Sequence, residues 1–305
     1  MHSRWYSIAV VVLWLAAMTW LVTYKVLPPL LVGEQPSFPE ILEAQQHEPP
    51  VAWRLSLNGR KLGWAISATS PLPDGSTQIR SHVQFDELPV EQFLRGWIIR
   101  QAFRGFVQPE LQARMVARSI LTFDADDRLT GFDSSIRLTW LGSSEHAIRL
   151  EGTVEGNNLV LSIQSDDLPD PPTLPPVRIP PHGMVGDALS PQTQMPRLRL
   201  GQSWTTQSYN PLRPDNPWEV VQAKVEAIEP IIWGTRTEDA WLVVFRRDSG
   251  FGLLGKRTPR GRLWVNSDGL VLRQEVLFLD STLVFDRLAS VEEAGLAGKL
   301  EEEWQ

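Results

Sequence analysis

Residues Trp5 to Tyr24, WYSIAVVVLWLAAMTWLVTY, carry no charge and no proline over twenty positions. A helix rises about 1.5 Å per residue, so this run reaches about 30 Å, the hydrocarbon thickness of a bilayer. It predicts a transmembrane helix within an anchor over residues 1–27. Trp5 and Tyr6 at one end and Trp20 and Tyr24 at the other suit the two headgroup layers. A cleaved leader would have a shorter apolar core and a small-x-small site; here Lys25, Val26, Leu27, Pro28 and Pro29 follow. Arg4 lies on the N-terminal side. Beyond Lys25 no Lys or Arg occurs before Arg54, while Glu34, Glu40, Glu43 and Glu48 intervene. The positive-inside bias then predicts a single pass with Met1 in the cytoplasm and the rest of the chain in the periplasm.

Arg4 and Lys25 leave 27 of the 29 Lys+Arg, and all 36 Asp+Glu, beyond the anchor, a net charge of −9. Such a surface does not attract nucleic acid or anionic lipid. The absence of cysteine removes disulfides, thiol nucleophiles and thiolate metal sites. No Asn-x-Ser/Thr acceptor occurs either, and together these point to a bacterial inner membrane and periplasm.

Residues 28–50 are rich in proline and glutamate and read as a stalk, with a short helix over Pro39–Gln46 capped by Ser37. From Val51 the pattern changes to period-two alternation broken by turn signals. VAWRLSL, Asn58-Gly59, KLGWAISATS, Pro73-Asp74-Gly75 and STQIRSHVQF predict three meandering strands. Val90, Phe93, Leu94, Trp97 and Ile98 then fall on one helical stripe after Pro89, predicting a helix near 89–105. Pro109 opens a candidate second helix with Leu111, Met115 and Val116 inward. RSILTFD, LTGFDSSIRLTW, EHAIRLEGTVEG and NNLVLSIQS continue the meander, so 51–165 reads as about seven antiparallel strands. Residues 166–197 form a proline-rich strap or linker: nine prolines fall within 166–196, where no long element can run. A second β region spans 198–290, and 291–305 is an acidic tail. The fold class expected is mainly β: an anchor helix plus a curved, half-barrel-like antiparallel sheet packed on one or two helices. Whether the two β regions form one sheet or two domains stays open.

Catalytic signatures are sparse in this sequence. The five histidines show no metal-ligand spacing, although His82 and His146 both lie in strands. There is no nucleophile elbow, Walker loop or dinucleotide fingerprint. Asp248-Ser249-Gly250 follows an apolar strand as in aspartic proteases, but no second copy exists. Residues 250–257 are glycine-rich and read as a hairpin tip. No catalytic, metal or cofactor-binding residue is assigned, and no cofactor is expected.

Leu198, Gly201 and Trp204, followed by Trp264, Val265, Asp268, Gly269, Val271, Leu272 and Glu275, resemble the strand grammar of bacterial envelope β-rich domains of the lipoprotein-carrier (Lol-type) half-barrel group. Leu57-Asn58-Gly59 with Gly63 is similar to their opening strands. The resemblance implies a curved antiparallel sheet around a helical plug, for which 89–105 is the candidate. It does not by itself imply carriage, because Lol carriers are soluble and lack this anchor and strap. With thirteen tryptophans in the chain, aromatic lining of an apolar cavity is a second expectation, with Phe93, Trp97, Trp140, Trp204 and Trp264 as ligand-cavity candidates. The expected function is a membrane-tethered, non-catalytic binding or scaffold protein of the cell envelope. Its partners are the membrane, through residues 5–24, and another envelope protein or a lipid. The alternatives are a periplasmic carrier of a lipid or other apolar ligand, and an envelope hydrolase or peptidase resting on Asp248.

Overall fold

A computed structural model describes residues 2–23, 36–88, 113–140, 145–156, 158–165, 176–178, 190–209, 218–247, 259–278 and 281–289. The helix expected near 89–105, the start of the one expected after Pro109, Asp248-Ser249-Gly250, residues 250–257 and the acidic tail lie outside these residues.

Two helices are described. Helix α1 covers His2–Leu21. Its side chains from Val10 to Leu21 are exposed, Leu13 at 72%, as is Val22 just beyond it. Among the described residues no helix is long and apolar enough to cross a membrane, so the spanning helix expected of residues 5–24 is not shown. The side chains described in α1 begin at Val10. From there to Leu21 the apolar run covers about 18 Å, short of the about 30 Å hydrocarbon layer. Helix α2 covers Phe38–Gln46. It matches the expected stalk helix and starts as expected: the Ser37 hydroxyl accepts from the Glu40 N–H, and the Glu40 carboxylate accepts from the Ser37 N–H, a capping box.

The fourteen strands among the described residues all belong to one antiparallel sheet. In chain order they are β1 (Val51–Leu57), β2 (Arg60–Pro71), β3 (Thr77–Leu88), β4 (Ala113–Phe123), β5 (Leu129–Trp140), β6 (Glu145–Glu155), β7 (Asn158–Ser165), β8 (Val177–Arg178), β9 (Ser203–Tyr209), β10 (Trp218–Trp233), β11 (Arg236–Arg247), β12 (Gly261–Val265), β13 (Val271–Phe278) and β14 (Ser281–Arg287). Their order across the sheet is β8 to β1 and then β14 to β9. Every neighbour in space is therefore a neighbour in sequence except at the joint, where β1 pairs with β14 from Trp53↔Arg287 to Leu57↔Leu283. The order is that of a closed up-and-down meander opened between β8 and β9, and among the described residues the sheet does not close.

Turn chemistry sets this register. Asn58 (φ 48°) and Gly59 (φ 83°) supply the two left-handed residues that join β1 to β2. At the β12–β13 turn the Asn266 carboxamide oxygen accepts from the N–H groups of Asp268 and Leu270. Met115 and Val116, expected on a helix, belong to β4 instead. There Ala113, Met115, Ala117, Ser119, Leu121 and Phe123 are buried in strict alternation, a period of two that the apolar spacing alone did not separate from a helical one.

One face holds the main core: Trp53, Leu55, Phe85, Met115, Ile148, Val225, Val243, Leu263 and Phe285 form a single cluster drawn from both halves of the chain. A flat sheet of fourteen strands at about 4.8 Å spacing would expose such a face. Trp53, Phe85 and Phe285 are wholly buried, which requires the sheet to curl on itself. The face that bears them is the inner face. The expected strap is seated on the sheet where it is described. The Met195 N–H donates to the Gly269 carbonyl and the Val271 N–H to the Thr193 carbonyl, and Met195 enters the main core.

Candidate functional site

Two features of the inner face stand out. The first is polar. Cross-strand register aligns Ser67, Ser81, Ser119 and Ser134 on β2 to β5 as one row. Beside it run Ile79, Leu121 and Phe132, which pack with Phe123 and Leu129 against Leu42 and Phe38 of α2. Ser67, Ser81 and Ser119 are each at most 3% exposed. The Oγ atoms of Ser67 and Ser81 and the Nε1 of Trp53 find no hydrogen-bond partner among the described residues. Just past α2, Glu48 meets Arg287 of β14, Oε1 to Nη2 at 2.5 Å, with both side chains over 90% buried. Arg287 also donates to the Thr193 carbonyl of the strap. One ion pair thus joins the end of the stalk, the β1–β14 joint and the strap.

The second feature is apolar and open. Trp204 on β9 and Trp241 and Phe245 on β11 pack half-buried against the edge of the core. A bulge between Val225 and Ala227 then shifts the pleat of β10, so that Ile228 lies opposite Trp241 on the inner face. Ile228 is 50% and Ile232 77% exposed. β9 pairs with β10 only up to Lys224. Beyond it one edge of β10 carries no strand among the described residues, and Pro230 interrupts its row of donors. Proline on an edge keeps another strand from adding, so what this hairpin offers is a side-chain face.

On the outer face Trp264 packs with Ile231, Ala240 and Leu272. Its Nε1 donates to Glu229 at 3.1 Å, and the Arg273 guanidinium stands over its ring at 5.9 Å while pairing with Asp286. Trp204 and Trp264 are therefore on opposite faces and do not line one cavity. Phe93 and Trp97 lie outside the described residues. Trp140 ends β5, and its side chain lies outside them too. Trp53 and Trp241 were read from sequence as strand tryptophans but not as cavity candidates, and Ile228 and the Glu48–Arg287 pair were not singled out. Trp241 and Ile228 alternate like any strand residue, and the bulge that turns Ile228 inward leaves no mark in the local pattern. His82 and His146 also part company. His82 is buried on the outer face, stacked on Trp64 at 4.9 Å, whereas His146 sits opposite Leu138 on the inner one.

Electrostatics add no catalytic arrangement among the described residues, and no group of His, Asp and Glu there could hold a metal ion. Burial, with Asp124, Asp126 and Glu43 nearby, pushes the Asp127 carboxyl above its ordinary pKa. The hydrogen bond from Arg246 holds Glu226 below its own. Both are structural: Asp127 closes the β4–β5 turn, and Arg246 meets Glu226 across the outer face of β10 and β11.

No described protein family and no curated protein matches the chain. Among solved structures it is similar to a β-barrel-like protein of domain of unknown function DUF1849 from Brucella abortus, at 10% identity and a TM-score of 0.41 over 78% of this chain and 95% of that one. That neighbour is a bacterial β-rich protein; a likeness to the Lol-type carriers is not shown.

Proposed function

We propose that this chain is a membrane-tethered, non-catalytic binding or scaffold protein of the bacterial cell envelope, held by residues 5–24 with Met1 in the cytoplasm and the sheet in the periplasm. The observation that carries the reading is the exposure of α1: an uncharged row of side chains from Val10 to Val22 faces solvent, and such a surface is stable only against lipid or protein. The uncharged run in the sequence is longer than the part whose side chains are described, and supplies the remaining length. Alkaline carbonate extraction of membranes tests it. The full chain is expected in the pellet and a variant lacking residues 5–24 in the supernatant; a full chain released by carbonate would end the reading.

A second reading is favoured by the open slope on β9 to β11. Trp204, Trp241 and Phe245 grade outward to Ile228 and Ile232, and an apolar ligand laid there would cover side chains that water now touches. Titrating the purified protein with phospholipid below its micellar concentration should shift tryptophan emission, and Trp241→Phe should remove most of the shift. An unchanged spectrum counts against a lipid ligand while leaving the tether intact.

A further inference from the structure

We infer that α2 is a displaceable plug on the inner face rather than a fixed part of the core. Helix α2 is nine residues long and buries only Ile41, Leu42 and Gln45. Leu42 is held by an apolar patch around Leu121 and Phe123. The adjoining row of the inner face, by contrast, is serine rather than valine or leucine. A core selected only for tight seating would be apolar there.

The seated state also leaves polar atoms unmet. Ser67 Oγ, Ser81 Oγ, Trp53 Nε1 and Glu48 Oε2 are buried with no partner among the described residues. A buried hydroxyl without a partner weakens the state that buries it by about tenfold in equilibrium. The row of Ser67 and Ser81 adjoins the patch on which α2 sits, so lifting α2 would let water approach these two hydroxyls, and they bias the helix toward release. Against release stand the burial of Ile41 and Leu42, the Phe38–Phe123 ring contact, the Glu48–Arg287 pair, the Gln46–Thr77 hydrogen bond of 2.7 Å and the surface pair of Arg197 with Glu40. The last three are polar contacts, which water can replace. Helix α2 lies between α1 and the sheet in the chain, so whatever pulls or binds on the stalk acts on it first. Its departure would open the patch at Leu121, Phe123 and Leu129. The inference stands apart from the tether and from the lipid ligand: a helix that never lifts leaves both of those readings standing.

Amide hydrogen exchange on the full chain in detergent tests it. The amides of Leu42 to Gln46 are expected to exchange at least a hundredfold faster than those of Val83 and Ala117 in β3 and β4. A variant carrying Ser67→Ala and Ser81→Ala removes two unmet hydroxyls and should slow α2 exchange about a hundredfold relative to wild type. Glu48→Gln weakens the main clamp and should speed it. Wild-type α2 amides that exchange in step with β3 and β4 would overturn the plug whatever the variants do. So would unchanged or faster α2 exchange in the double-serine variant.

Discussion

Glu48 and Arg287 are 239 positions apart in sequence and meet inside the protein with both charges buried. Breaking such a pair leaves one charge without its partner, which typically costs about 3–5 kcal/mol. Arg287→Met should therefore lower unfolding free energy by about that amount in a denaturant titration, and Glu48→Met combined with it should recover much of the loss. The sequence marks Glu48 only as one of the stalk's acidic residues and Arg287 not at all, because a pairing across the whole chain leaves no local pattern. Asp127 makes the opposite case, a carboxylate the fold tolerates poorly. Its pKa is raised by burial and then by Asp124, Asp126 and Glu43. A raised carboxyl costs nothing below its unfolded pKa, near 3.8, and stability is lost as pH climbs through the folded value. Asp127→Asn, which also tolerates the positive φ of this turn (59°), should raise the melting temperature at neutral pH. That gain should vanish below pH 3.8, and a gain that persists there would refute the electrostatic account.

At the scale of elements, most strands and turns were legible because their signals are local. Alternation gave β1 to β3, and Asn58-Gly59, Asp74-Gly75 and Asp268-Gly269 marked the hairpins. Ser37 as a cap before Pro39 placed the start of α2 to within one residue. β4 was read too short, since ARMVARSILTF begins with residues that suit a helix as well as a strand. Gly63 shows what spacing hides. It faces β3 so closely that a Cβ would lie 1.9 Å from the Gln84 carbonyl oxygen. Gly63→Ala must push β2 and β3 apart beside Phe85, and should cost several kcal/mol, at the upper end of single substitutions. Near-wild-type unfolding of Gly63→Ala would mean the two strands are not held this close.

Across the whole molecule, the question left open by the sequence was whether the two β regions are one sheet or two. The β1–β14 joint answers it, and the main core takes buried side chains from both regions. Unfolding should then give one cooperative transition by both tryptophan emission and circular dichroism; two separated transitions would argue for independent halves. The candidate site was less legible than the fold. Trp204 was named, but the inner-face position of Ile228 depends on the bulge in β10, and Trp264 faces the other way because strand parity, not aromatic character, decides the side.

The tether on which the functional account turns is open to a direct measurement, since the chain contains no cysteine and single ones can be introduced cleanly. Ser267 lies exposed in the β12–β13 turn, and Ser3 precedes the apolar run. With a membrane-impermeant maleimide on intact spheroplasts, Ser267→Cys should label fully and Ser3→Cys only after lysis. Protection of Ser267→Cys until lysis, or recovery of either variant free of the membrane, would contradict the account.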